Sequence, residues 1–419
     1  MKSRENLQRT LNHLQPDRLV VDFGGTAVTG IHCLAVKNLR AHFGLEERPI
    51  KVVEPYQMLG EVDAELIDKM GIDVVGAYGT DNMFGFANNE CEWKPFLSNW
   101  GQEILVPIDF NTTQDEDGST LIYPAGDTSL SPNARLPKAG YFFDAINRQE
   151  PFEEENLNPE DNLEEFSPIT EATLDYWERT VRRQAATGKG VIASLGGTAL
   201  GDIALVPGMQ LKNPKGIRDV AEWYMSTLAR PDYVHAIFEK QTELAIANFA
   251  KIYERIGDQI DAVFICGTDF GTQDSTFCSP DQFSELYLPY YRKINDWMHQ
   301  NTGWKSFKHS CGAVETFMPL FIDAGFDIIN PVQINAKGMD PRHLKNTYGK
   351  DLVFWGGGVD TQKMLSFGTP AEVKKQVLEN CEIFAKDGGF VFTTVHNVQA
   401  NVPIKNLAAM LDAISEFNG

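Results

Sequence analysis

DLVFWGGGVDTQKMLSFGTPAEVKKQVLENCEIFAKDGGFVFTTVHN, residues 351–397, holds one complete repeat of the architecture. An apolar run closes on three glycines, and a second run closes on His396 and Asn397. Between them Thr369, Pro370 and Ala371 read as an N-cap with proline at the first helical position, followed by a helix. A strand, a helix and a second strand in this order give parallel strands joined by a right-handed crossover.

The same grammar recurs upstream. Apolar or β-branched runs, each ending in Gly, Asp, Asn or His, occur at 18–25, 72–79, 190–197, 261–269, 304–311 and 326–333. With the two above they make eight. Helical patterns separate the later ones, notably PDYVHAIFEKQTELAIANFAKIYERIG and SPDQFSELYLPYYRKINDWMHQN, the latter opened by Ser279 and Pro280. Eight strands alternating with helices predict an α/β fold, a closed (β/α)8 TIM barrel occupying residues 1–419 as a single domain. The exception is an insertion at about 80–185 in the N-terminal half. There TLIYPAG and AGYFFDA read as hairpin strands, QEPFEEENLNPEDNLEEF as a solvated acidic loop, and TEATLDYWERTVRRQAATG as a helix.

Composition narrows the function. With 42% apolar and 23% charged residues, 26 Phe and 7 Trp, the chain has the profile of a globular enzyme. A formal charge of −21 repels a phosphate backbone, so no nucleic-acid partner is expected. No apolar run reaches the roughly 20 residues that span a bilayer, and the N-terminus lacks a signal-peptide core, so no membrane association and a cytoplasmic location are expected. Six scattered cysteines predict free thiols rather than a disulfide framework. Of these Cys266, Cys381 and Cys33 read as core, and Cys91 falls in the insertion without a visible partner.

In such a barrel, functional groups stand at the C-terminal ends of strands. Those ends carry Asp269 with Gln273 behind it, His309 and Cys311, Gln333, the Gly356–Gly358 run, and His396. His309 and Cys311 are two apart, so they share one strand face and offer imidazole and thiolate to a metal. A third zinc ligand would come from another strand, His396 first and Asp269 second. Gly357 and Gly358 either bring backbone amides to a phosphate or clear room for a bulky ligand. No dinucleotide fingerprint or Walker loop is present.

HSCGAVETFMPLFIDAGFDIINPVQINAKGMDP, LVFWGGGVDTQ, GGFVFTTVHNVQANVPIKNLAAM and VFICGTDFGTQDSTFCSPDQF together resemble the uroporphyrinogen decarboxylase superfamily, in particular its corrinoid-dependent methyltransferase branch. The resemblance implies a site at the barrel mouth, with zinc on the His-x-Cys pair and on a last-strand cysteine whose place His396 takes here. It implies a methyl group moving between a small molecule and a corrinoid. Because the chain has no evident corrinoid-binding segment, the cobalt is expected on a separate corrinoid protein. In that scheme Asp269 orients substrate or exchanges a proton, Gln273 stands close behind it, and Gln333 hydrogen-bonds substrate. The glycine-lined mouth then admits the corrin face. Decarboxylases of the superfamily lack the His-x-Cys pair, have a histidine matching His396, and use arginines near the first strand. VDFGGTAVTG has none. The alternatives are therefore decarboxylation of a tetrapyrrole or other carboxylic acid, and a non-catalytic binding barrel.

Overall fold

The structure, a computed structural model, describes residues 2–87 and 92–419; Cys91 lies outside them. All eight expected runs form parallel strands of one sheet. They are β1 (Val20–Val21), β2 (Val74–Ala77), β3 (Gly190–Ala193), β4 (Ala262–Cys266), β5 (Lys305–His309), β6 (Ile328–Asn330), β7 (Val353–Trp355) and β8 (Phe390–Phe392). Ladders run without interruption from β2 through β3 to β8 and on to β1. The seam between β1 and β2 is closed by other means. Asp73 N–H donates to Val21 O at 2.8 Å, while the Asp73 carboxylate accepts Val21 N–H at 3.1 Å and the Arg18 guanidinium at 2.9 Å. The chain is a (β/α)8 barrel.

Asp73 has two counterparts at the bottom of the barrel. Asp261 accepts Val191 N–H at 2.9 Å and pairs with Arg4, and Asp327 accepts Ser306 N–H at 2.8 Å beside Lys305 and His299. Each aspartate starts or precedes one strand and takes the first free N–H of its neighbour, a donor that the ladder would leave unpaired.

Strand alternation fills the interior. Val20, Val74, Ile192, Ala262, Phe307, Ile328, Val353 and Val391 point inward, and Leu7 and Leu11 of the N-terminal helix Ser3–Leu11 plug the floor. Outside, the expected caps are present. Ser279 accepts Gln282 N–H at 3.1 Å at the start of Pro280–Leu286, and Thr369 forms a capping box with Glu372 on Pro370–Phe384. No helix among the described residues is long and apolar enough to cross a membrane.

The N-terminal half departs from the sequence reading. A four-stranded mixed sheet joins Ile50–Glu54 and Leu59–Gly60, which precede β2, to Trp93–Leu97 and Glu103–Pro107. The extra layer therefore draws on chain upstream of residue 80. A second sheet, antiparallel, contains Thr112–Gln114, Thr120–Ile122, Ala134–Leu136 and Asp144–Ala145. TLIYPAG supplies one strand as expected, but in AGYFFDA only the last two residues pair, the buried Phe143 giving its N–H to Tyr56 O at 2.8 Å instead. The helix Glu171–Ala185 packs against β2 and β3 and so belongs to the barrel wall. The acidic run is more than a solvated loop. Glu164 and Glu165 pair with the buried Arg218, and Glu154 with Arg230.

Candidate metal centre at the barrel mouth

The ends of β4 and β5 meet unusually closely. A register shift between Phe264 and Cys266 ends their ladder at Cys266 and Lys308, and the following loops run backbone against backbone. A Cβ on Gly271 would stand 2.7 Å from Ala313 N and 2.8 Å from Cys311 O, and Gly312 adopts φ +90° against Gly271. Only glycine at these two positions permits the approach. Its product is one hydrogen bond, Cys311 N–H to Asp269 Oδ1 at 2.6 Å, and a second, Ala313 N–H to Thr272 O at 2.8 Å.

His309 faces the interior one pleat above Phe307, in register with Asn330 on β6. Its Nδ1 lies 2.5 Å from Asn330 Oδ1. The amide orientation is set independently, because Asn330 Nδ2 donates to Trp355 O at 2.7 Å. Nδ1 must therefore carry the proton, and Nε2 presents its lone pair to the cavity. Cys311 Sγ lies 3.4 Å from that Nε2, and Asp269 Oδ1 lies 3.9 Å from it. The His396 ring stands at 79° to that of His309, centroids 5.5 Å apart. Its Nδ1 accepts the N–H of Asn397 at 2.8 Å.

Ligand atoms of His309, Cys311 and His396 all fall within 4.8 Å of one another. Bonds of about 2.0–2.1 Å to nitrogen and 2.3 Å to sulfur at tetrahedral angles require donor separations of roughly 3.4–3.7 Å. The His309–Cys311 pair meets that requirement as it stands. The donor set also suits a cation chemically. Burial lowers both histidines to about 4, so they are neutral ligands at pH 7; the charge of Lys308 further disfavours protonation of His309, and a charge on His309 that of His396. Burial, and next the charge of Asp269, pushes the Cys311 thiol well above its ordinary value. Without a metal it is a thiol, and a cation would have to displace its proton. His396 must give up the Asn397 hydrogen bond to ligate, because in the neutral ring Nε2 then holds the proton. The residues fit a zinc ion, with two donors aimed and the third within reach.

His309, His396 and Asp269 line a cavity of about 1550 Å³. Burial raises the Asp269 carboxyl. The other expected residues stand elsewhere. Gln333 spends its side chain on Gly312 N–H at 2.8 Å and on Gln273 Oε1 at 3.0 Å, and Gln273 donates to Asn335 O at 2.6 Å. The two glutamines staple the β6 loop to the Cys311 loop and are outside the cavity lining. Gly357 and Gly358 are also outside it; a Cβ on Gly357 would press on Val332 O at 3.0 Å, and one on Gly358 would enter the Phe392 ring. They make room for neighbouring chain.

Glu54, Tyr78 and Asp202 line the cavity and were not read from the sequence. Tyr78 had a signal, since it follows Val74 and Gly76 at alternate positions of β2. Glu54 and Asp202 had none, one lying on an unexpected strand and the other in the loop after β3. Burial lifts Glu54 to about 7 and Asp202 to about 6.

A family model described as uroporphyrinogen decarboxylase (URO-D) matches residues 152–417. The chain belongs to the uroporphyrinogen decarboxylase family. That match covers six of the barrel strands, β3 to β8, and every residue of the candidate centre. A search of curated proteins gives no match. Among solved structures, a methyltransferase from Methanosarcina mazei is similar over 100% of both chains, with a TM-score of 0.55 and 14% identity. At that identity the likeness is one of fold. Within the uroporphyrinogen decarboxylase family, then, the chemistry of this member has to be argued from its own mouth residues.

Proposed function

We propose that this chain is a zinc-dependent methyltransferase that moves a methyl group between a small molecule and a corrinoid carried by a separate protein. The observation that supports this reading is the convergence of His309, Cys311 and His396 ligand atoms within 4.8 Å at the barrel mouth. A zinc ion bound there would supply Lewis acidity, polarising a methyl-bearing oxygen or nitrogen or holding a thiol as thiolate. Asn330 fixes the tautomer of His309, and Gly271 with Gly312 brings Cys311 onto Asp269. Asp269, its carboxyl raised by burial, lines the cavity beside the donor set, where it orients substrate or exchanges a proton with the heteroatom that loses its methyl group.

The composition of the mouth disfavours decarboxylation of a substrate with several carboxylates. Among the described residues lining the cavity, Lys189 is the one lysine or arginine, and its Nζ donates to Ile72 O at 2.7 Å. Polyanionic substrates need guanidinium or ammonium partners. The test is to mix the protein with free cob(I)alamin and a panel of methyl ethers, methylamines and methyl thiols. The methylcobalamin spectrum should appear with at least one. Turnover of uroporphyrinogen would establish the decarboxylase alternative instead.

A further inference from the structure

Lys308 is 0% exposed, yet it belongs to neither the cavity nor the donor set. On β5 it points away from the interior, between the inward Phe307 and His309, into the layer under the helices. Its Nζ lies 4.9 Å from the ring centre of Phe270, 5.7 Å from Phe321 and 5.9 Å from Tyr291. Burying an ammonium group among rings is costly unless its protons find acceptors, although the ring faces offset part of the cost. Here the acceptors are two backbone carbonyls, Thr268 O at 2.6 Å and His309 O at 2.5 Å.

Those carbonyls lie where the β4–β5 ladder has stopped. The last ladder partners are Cys266 and Lys308 itself. The next direct links across the gap are Phe270 N–H to Ser310 Oγ at 2.9 Å and Cys311 N–H to Asp269 Oδ1 at 2.6 Å. Lys308 thus replaces the missing rung, holding the residue before Asp269 and the metal-binding residue His309 on one nitrogen. The charge also acts on the mouth, favouring the ionised forms of Asp202 and Asp269.

We infer that Lys308 is a positioning residue for the metal centre: its ammonium group bridges the Thr268 and His309 carbonyls and so fixes the spacing of Asp269, His309 and Cys311. This role rests on the zinc reading above. A structural lysine would only hold the two strands together, and its loss would lower stability without a specific effect on the metal.

The experiment measures zinc affinity by chelator competition, and the thiolate-to-metal charge-transfer band of the cobalt(II)-loaded protein, for the wild type, Lys308→Met, Lys308→Gln and Lys308→Arg. Val377→Ala, a core truncation on Pro370–Phe384, serves as a matched loss of thermal stability. Lys308→Met should weaken zinc by about 10–100-fold, the range for lost outer contacts to ligands, and shift the band. Lys308→Gln, which keeps a donor without the charge, covers the case in which Lys308→Met does not fold and should weaken zinc in the same direction. Lys308→Arg should bind more tightly than either. Wild-type affinity and an unshifted band in Lys308→Met or Lys308→Gln would overturn the inference, as would equal weakening in Val377→Ala. A wild type that takes up no zinc would remove the metal reading itself, and this role with it.

Discussion

Asn330 Oδ1 accepts the proton on His309 Nδ1 at 2.5 Å, and the Asn330 amide is itself held by Trp355 O at 2.7 Å. Two consecutive strands thereby decide which nitrogen of a third strand's histidine faces the cavity. Asn330→Ala should leave the barrel folded and weaken zinc binding by about 10–100-fold, whereas Asn330→Asp, which keeps an acceptor, should retain most of it. Chelator competition on the two variants distinguishes them.

The pH dependence of metal uptake should follow Cys311 alone over the neutral range. Both histidines are lowered to about 4, so they are already unprotonated above pH 5, whereas burial keeps Cys311 a thiol at neutrality. Zinc binding between about pH 5.5 and 8 should release one proton, and its affinity should rise about tenfold per pH unit. Titration calorimetry in buffers of different ionisation enthalpy gives the count. Release of two or three protons would mean that the histidines are charged in the free protein.

Metal binding by His396 would come at the expense of the Asn397 N–H, a competition that a thiolate would not face. His396→Cys should therefore hold zinc at least as tightly as the wild type, and His396→Ala should weaken it by about tenfold or more. Full occupancy in His396→Ala together with loss in Asp269→Ala would show that the carboxylate is the third ligand.

Beneath the centre, Asp22 accepts Trp355 Nε1–H at 2.8 Å and Gly25 N–H at 2.8 Å in the barrel interior. Burial raises its carboxyl to about 6, against 3.8 unperturbed. A raised folded-state value adds stability that is fully present below about pH 3.8 and lost as pH climbs through 6. The amount at stake is roughly 3 kcal/mol, at 1.36 kcal/mol per unit. Asp22→Asn removes this titration, so its stability relative to wild type should improve by up to that amount between pH 4 and 7. Denaturant melts at the two pH values check the slope, whatever the constant cost of the lost hydrogen bond.

The seam offers a control without chemistry. Asp73 joins β1 to β2 and neutralises Arg18 at the face opposite the mouth. Asp73→Ala leaves the buried Val21 N–H without its acceptor while the part-exposed Arg18 can turn to solvent, so it should cost about 1–3 kcal/mol and leave zinc affinity per folded molecule unchanged.

The barrel was legible because most of its strands are apolar runs closed by a polar residue, as parallel strands buried on both faces usually are, with β5 (KSFKH) the exception. The His-x-Cys pair was legible because its spacing equals the strand period. The three floor aspartates were visible as residues, in IDVVG, DAVFI and FDIIN, but their partners are N–H groups of neighbouring strands that sequence does not pair. The strand at Ile50–Glu54 was missed because its alternation is short, its near partner Leu59–Gly60 has only two residues, and its other partner lies about 50 residues further on. Gln333, Gly357 and Gly358 sit at strand ends, as the pattern required, yet turn their atoms toward adjacent loops. Position at the mouth does not fix direction, which depends on loop contacts.

Zinc content joined to ligand identity tests the central claim most directly. Protein prepared with zinc and freed of loosely bound metal should contain one ion per chain, with an X-ray absorption spectrum showing one sulfur and two nitrogen donors, and Cys311→Ala should lose the sulfur signal and most of the metal. Wild-type protein that stays metal-free after zinc addition, or Cys311→Ala that retains a full ion with an unchanged spectrum, would contradict it.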